Sequence, residues 1–261
     1  MLGAVAGDVI GSVYEYFRTE HYDFRLFHPH STFTDDTVLT VAVASAILNG
    51  EEYGVSLKTF GRKYPGRGYG TMFRAWLRKE ENEPYYSWGN GSAMRVSPVG
   101  FAFDDAEEVL KQAGMSAAVT HNHLEGIKGA QATALAIYLA RTGREKAEIR
   151  DQVSSRFCYD LSRTLDQIRP GYTFDETCPG TVPQAIIAFL ESKDYEDAIR
   201  KSISLGGDSD TLACITGGIA QAYYKTIPKK IVQRVNRLLP EEFREIIREF
   251  NLRFKVHLSM S

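Results

Sequence analysis

The sequence predicts an all-α fold, one compact orthogonal bundle of many short helices, from three observations. Apolar residues recur at helical spacing through most of the chain. Glycine and proline breaks fall between those stretches, and the two-residue alternation that a half-buried strand needs is scarce. With no Pro/Ser-rich linker, low-complexity tract or fixed-period repeat, residues 1–261 read as one domain.

In order, a first helical segment carries Gly7-Asp8 and Gly11 and ends at Glu15. Val38 to Leu48 is apolar nearly all round, follows Thr34-Asp35-Asp36 and stops at Asn49-Gly50, which predicts a core helix with acids at its N-terminus. Tyr64 to Gly70 and Gly89-Asn90-Gly91 read as loops, the second running into a short helix. Leu124 to Leu139, rich in Ala and Gly and closing on Gly143, predicts a tightly packed helix. Asp194, with Asp197 in a capping-box-like position, opens a helix that stops at Gly206-Gly207. Another runs from Asp208-Ser209-Asp210 through Leu212, Ile215, Ile219 and Tyr223. Pro228 and Pro240 mark two further helix starts, the last with Phe243, Ile246, Ile247 and Phe250 as its apolar stripe.

Composition excludes several function classes. Hydrophobic residues make up 43%, charged residues 25%, and the formal net charge is -2. No Lys/Arg block stands out, so nucleic acid is not the expected partner. Cys158, Cys178 and Cys214 are odd in number and widely spaced, which argues against a disulfide framework or a Cys-rich zinc site; buried or half-buried thiols in a reducing compartment are expected. Val38 to Leu48 is too short for a membrane span and includes Thr40 and Ser45. The N-terminus lacks a basic region before its apolar residues, and Asp8 interrupts them, against a signal peptide. The expectation is a cytoplasmic monomer without a membrane partner.

Two acidic clusters carry the chemistry. Thr34-Asp35-Asp36-Thr37 and Asp208-Ser209-Asp210-Thr211 each place two carboxylates and a threonine at the head of a buried helix. Plain N-capping needs only one such oxygen. Four carboxylates with threonine hydroxyls form a hard, all-oxygen set that suits Mg²⁺, Mn²⁺ or Ca²⁺ and not zinc. A calcium-loop reading of Asp208-Ser209-Asp210 lacks the glycine and distal glutamate, and an aspartyl-phosphate reading lacks the preceding apolar strand.

Gly89-Asn90-Gly91-Ser92-Ala93-Met94-Arg95 offers backbone N–H groups to an anion, or is an ordinary turn with Ser92 as cap. Arg95 pairs with phosphate or sits in a salt bridge. Of His121 and His123, without a third soft ligand nearby, one hydrogen-bonds a ligand or caps the following helix. Glu15 reads locally as a surface glutamate.

Taken together and in order, these stretches resemble the ADP-ribosylglycohydrolase family. The resemblance rests on Gly3 to Gly11 with Glu15, Thr34-Asp35-Asp36-Thr37, Gly89 to Arg95, Thr120-His121-Asn122-His123 through Gly126 and Gly129-Ala130, and Gly206-Gly207-Asp208-Ser209-Asp210-Thr211. It implies an all-α fold with a two-metal centre, two Mg²⁺ ions with Mn²⁺ as the alternative. Thr34, Asp35 and Asp36 are implied on one side of the metal pair, and Asp208, Asp210 and Thr211 on the other. Gly89, Asn90, Gly91, Ser92 and Met94 are implied to hold a diphosphate and His121 to line the pocket. Glu15 is implied to lie on a mobile segment covering the site. Leu124, where related sequences often have proline, and Lys225-Thr226, in place of a glycine-containing turn, depart from the pattern away from the implied ligands.

The implied activity is hydrolysis of the glycosidic bond between ADP-ribose and an acceptor, a protein side chain or a small molecule. Asp35 or Asp36 would assist the attacking water, with Glu15 closing over the substrate. The rivals are a catalytically silent ADP-ribose binder or structural protein of the same fold, and a metal-dependent hydrolase of free nucleotides or small conjugates.

Overall fold

The computed structural model describes residues 1–256 and 259–260. Its helices are α1 (Leu2–Gly11), α2 (Asp35–Asn49), α3 (Tyr53–Lys63), α4 (Thr71–Arg78), α5 (Gly91–Met94), α6 (Ser97–Ala102), α7 (Ala106–Ala118) and α8 (Leu124–Arg141). They continue as α9 (Lys146–Phe157), α10 (Leu165–Ile168), α11 (Cys178–Leu190), α12 (Tyr195–Ile203), α13 (Ser209–Tyr224), α14 (Lys229–Leu238) and α15 (Glu241–Arg253). The extended elements among the described residues are β1 (Thr226–Ile227) and β2 (Ser259–Met260), two residues each and paired in parallel. The fold is all-α, as the periodicity predicts.

The predicted punctuation acts where the sequence places it. Thr34 caps α2, its hydroxyl accepting from the Asp36 N–H, and Gly50 ends that helix in the left-handed region at φ 64. His123 caps α8 by accepting the Glu125 N–H at 3.1 Å, so of the two histidines this is the capping one. Asp194 accepts the Asp197 N–H, but the Asp197 carboxylate takes the Lys193 N–H, so the box is half formed. Pro228 and Pro240 stand immediately before α14 and α15. Lys225 ends α13 at φ 57, the conformation in which a glycine costs least.

The first helix is shorter than its apolar pattern. It ends at Gly11, and the chain continues as tight turns, with the Tyr14 N–H donating to Gly11 O at 2.7 Å. Glu15 therefore lies in the turns after α1 and not at its end. The cysteines also divide unevenly: Cys178 and Cys214 are buried, whereas Cys158 is exposed in a left-handed cap at the end of α9.

At the centre of the core, α1 and α13 lie antiparallel along a seam of glycines. Both helices are buried along nearly their whole length. A Cβ built on Gly3 would strike Gly217 O, one on Gly7 would strike the Ala213 carbonyl, and one on Gly11 would lie 2.5 Å from Ser209 O and 2.6 Å from Asp210 Cα. Backbones can approach this closely only where no side chain intervenes. The Gly3 N–H adds a 2.6 Å bond to Gln221 Oε1. This packing brings the C-terminal end of α1 to the N-terminal end of α13, and with it Asp8 to the head of both α2 and α13.

Candidate active site

Asp8 organises the first half of the site. It is fully buried on α1 and accepts from the Thr34 N–H at 3.0 Å, the Thr34 hydroxyl at 2.7 Å, the Thr37 N–H at 3.1 Å and the Thr37 hydroxyl. These are the donors at the head of α2, where a helix leaves its first N–H groups without intrahelical partners. Burial and the neighbouring Asp210 charge nevertheless raise the Asp8 pKa to about 7, against the hydrogen bonds from Thr37 and Thr34. In the sequence Asp8 reads as an interruption of an apolar run within the Gly3 to Gly11 stretch, not as a site residue. A carboxylate in a helix otherwise apolar on every side was the available signal, since such a group is almost never buried unpaired.

With α2 fixed, Asp35 and Asp36 project from its first turn. The Asp35 N–H donates to Arg67 O at 2.7 Å, and its Oδ1 lies where a side chain on Gly68 would sit, at 3.0 Å. Across from them, α13 supplies Asp208, Asp210 and Thr211, and the Thr211 hydroxyl reaches Asp36 Oδ2 at 3.3 Å. The turn before Asp208 is made by Gly206 and Gly207, at φ 78 and 77, a pair of left-handed residues that glycine alone adopts cheaply. Asp208 Oδ2 receives the Asn90 side-chain amide at 2.7 Å, and the same amide nitrogen contacts Thr181 Oγ1 at 3.0 Å.

Burial pushes the carboxyls of Asp35, Asp36 and Asp208 well above the ordinary range, and the Asp210 charge adds to each. Glu15, half-buried in the turns after α1, is raised to about 7 by burial and then by Asp210. Asp36 Oδ1 is buried with no hydrogen-bond partner. Clustered, desolvated carboxylates with an orphaned oxygen and threonine hydroxyls beside them fit a hard divalent cation, which supplies the missing positive charge. Among the described residues no three acidic, histidine or cysteine groups close on one point at metal-ligand spacing. The donors are thus gathered, not clamped.

The second half of the site is the Gly89 to Met94 loop, strapped to the segment before α11. The Cys178 N–H donates to Trp88 O at 3.0 Å, the Asn90 N–H to Glu176 O at 2.8 Å and the Cys178 thiol to Gly89 O at 3.1 Å. Ser92 is no cap; its hydroxyl donates to Gly126 O at 2.7 Å. Met94 is buried in the core, its carbonyl accepting from the Thr40 hydroxyl and the Cys214 thiol, so it shapes the loop from below. Among the described residues the Gly91 and Ser92 N–H groups have no protein partner, which leaves two backbone donors for an anion.

His121 lies under that loop. Its Nε2 is 3.0 Å from where a Cβ on Gly91 would sit, and its Nδ1 is 2.7 Å from the Thr120 hydroxyl. Burial, with the Arg95 charge next, pushes the imidazole well below its ordinary range, so the ring is neutral. Arg95 fills neither role the sequence suggests. It is fully buried, and its Nη2 donates to Ser116 O at 2.8 Å and Thr120 Oγ1 at 2.9 Å, so it braces the His121 segment from behind. Tyr86 and Trp88 are exposed beside the loop, with His123 packed edge-on against both.

Comparison with known proteins decides the family. A family model described as ADP-ribosylglycohydrolase matches residues 1–258. The chain belongs to the ADP-ribosylglycohydrolase family. It is 28% identical to "ADP-ribosylhydrolase ARH3" of Mus musculus, over 86% of this chain and 82% of that protein. It is 26% identical to "ADP-ribosylarginine hydrolase Tri1" of Pseudomonas putida (strain GB-1), over 90% of this chain and 72% of that one. A solved structure described as "ADP-ribosylglycohydrolase-related protein complex" superposes with a TM-score of 0.73 at 23% identity, covering 98% of this chain and 97% of its own, and shares the fold. Among the described residues no helix is long and apolar enough to cross a membrane.

Proposed function

We propose that this family member is a divalent-metal-dependent hydrolase that cleaves the glycosidic bond between ADP-ribose and an acceptor, reversing mono-ADP-ribosylation. The observation that carries the reading is the convergence of carboxylates from α2 and α13, one with a buried unpaired oxygen, beside a loop with two free backbone donors. Relatives named as ADP-ribosylhydrolases support the substrate class.

The residues divide the work by their chemistry. Gly91 and Ser92 N–H groups bind a diphosphate oxygen, and neutral His121 lies beneath the same loop. The exposed rings of Trp88 and Tyr86 offer flat faces for adenine. Thr34, Asp35 and Asp36 on one side, and Asp208, Asp210 and Thr211 on the other, would hold two Mg²⁺ or Mn²⁺ ions. When bound there, such ions would supply positive charge that keeps these carboxylates ionised and would help position the ribose hydroxyls and the attacking water. Cleavage at the ribose C1 passes through an oxocarbenium-like state, which nearby carboxylates stabilise. Asp35 or Asp36 accepts the proton of the attacking water, and Glu15, close to neutral pKa, covers the substrate and exchanges a proton with it.

The test is to incubate the chain with ADP-ribosylated arginine, serine and acetyl-ester substrates, with Mg²⁺, Mn²⁺ or a chelator. The reading predicts metal-dependent release of ADP-ribose that disappears in an Asp208→Ala/Asp210→Ala protein. A folded chain that binds ADP-ribose and releases none from any substrate is instead a silent binder.

A further inference from the structure

We propose that Arg18 is a positioning residue that latches Glu15 over the carboxylate cluster. This rests on the reading of Glu15 as a working group of the site. Glu15 sits in turns between two anchored stretches. On one side, the Ser12 hydroxyl receives the Thr32 N–H at 3.2 Å. On the other, the Tyr22 hydroxyl donates to Asp197 Oδ1 at 2.7 Å and Arg200 donates to Phe24 O at 2.8 Å. Between these, Tyr16 and Phe17 are 76% and 69% exposed and hold nothing in the core.

Before Glu15, Tyr14 donates its hydroxyl to Arg25 O and packs on the Phe24 ring; after Glu15, Arg18 supplies the first tie back to the body of the protein. Its Nη2 donates to Tyr172 O at 3.1 Å, and its guanidinium lies across Gly206, with Cζ 3.0 Å from where a Cβ would stand and Nε closer still. Gly207 is occupied in the same way by the Tyr172 ring, whose Cε1 is 2.8 Å from a built Cβ. Tyr172 is itself held, its hydroxyl donating to Gly180 O at 2.8 Å. The two glycines before Asp208 therefore have a second use: besides making the turn, they are the floor on which Arg18 and Tyr172 cross. That floor leads directly into Asp208 and Asp210, so a tie here sets the Glu15 turn against the head of α13. The ion pair of Arg18 with Glu20, at 3.1 Å between side chains 42% and 60% exposed, contributes little to this.

A latch acts through the group it places, which a double-mutant cycle detects. Arg18→Ala is expected to lower kcat for ADP-ribose release by about 10- to 100-fold with KM little changed, and to have no further effect in a Glu15→Gln background. Arg18→Lys, which keeps one donor for Tyr172 O but not the flat guanidinium, should recover part of the loss. Independently of activity, amide exchange over Val13 to Phe17 should speed up in Arg18→Ala while α13 keeps its protection. Equal losses in both backgrounds, no loss at all, or a fully active Glu15→Gln protein would overturn the latch. If the unsubstituted chain turns over no ADP-ribosyl substrate, the functional reading fails instead, and unchanged exchange over Val13 to Phe17 still overturns the latch.

Discussion

Replacing Gly7 by alanine sets two effects of opposite sign against each other. In an unpacked helix the change stabilises by about 1 kcal/mol, because alanine loses less backbone freedom on folding. Gly7, however, faces α13, where the added Cβ would strike the Ala213 carbonyl and lie 2.9 Å from Cys214 N. Both are backbone atoms, so no rotamer change relieves the contact. Carbon atoms pack at about 3.5–4 Å, so the two helices must part by roughly 1 Å. Overpacking of this kind costs about 1–3 kcal/mol, occasionally more, and exceeds the propensity gain when the obstacle cannot move. With both obstacles backbone, a cost at the upper end of that range, about 3 kcal/mol, less the gain of about 1 kcal/mol leaves a net loss of about 2 kcal/mol, which lowers the melting temperature of a chain this size by about 4–8 °C. Because α1 carries Asp8 and α13 carries Asp208 and Asp210, the same displacement should reduce turnover by on the order of 100-fold. Thermal unfolding in chelator and steady-state release of ADP-ribose read the two effects. Gly171→Ala is the control: its built Cβ meets nothing within 4 Å and its φ is not positive. A Gly7→Ala protein that melts at or above the parent temperature would refute the seam.

Three other outcomes follow from the same geometry. The raised pKa of Asp8, from 3.8 to about 7, means that folding favours its neutral form, so its contribution is complete below about pH 4 and is lost as the pH rises towards 7. The melting temperature of the metal-free chain, relative to an Asp8→Asn protein, should therefore fall between those pH values; a flat or rising difference contradicts the assignment. Asn90→Ala leaves Asp208 Oδ2 without its amide donor and should weaken Mn²⁺ binding about 10- to 100-fold, measured by titration; unchanged affinity would show that Asn90 does not orient Asp208. A thiol reagent should modify Cys158 in the native protein and reach Cys178 and Cys214 only after unfolding, and mass spectrometry of the labelled peptides checks this.

Much of the helix framework was legible because its punctuation is local. Asn49-Gly50, Asp194, Gly206-Gly207 and the two prolines each act within one turn of chain, so sequence neighbours suffice to read them. The carboxylates at the heads of α2 and α13 were legible for the same reason. Asp8 was not, because its partners Thr34 and Thr37 lie far along the chain and meet it only where α1 packs against the head of α2. The glycine seam itself has a visible four-residue spacing, Gly3, Gly7 and Gly11, yet nothing in that spacing names α13 as the partner. Arg95 misled for a related reason: an arginine after a glycine-rich loop suggests phosphate, and only the fold turns it inward to Ser116 and Thr120. Met94 and the Ser92 hydroxyl likewise support the loop from below, while the Ser92 N–H stays on its open face.

The central claim is that the carboxylates of α2 and α13 form a divalent-cation site within this family fold. It is tested most directly by counting Mn²⁺ ions bound to the metal-free chain by electron paramagnetic resonance, with Mg²⁺ as competitor. The account predicts two saturable sites per chain, displaced by Mg²⁺ and lost in an Asp36→Ala/Asp210→Ala protein that remains folded. Absence of saturable binding, or binding that survives both substitutions, would contradict it.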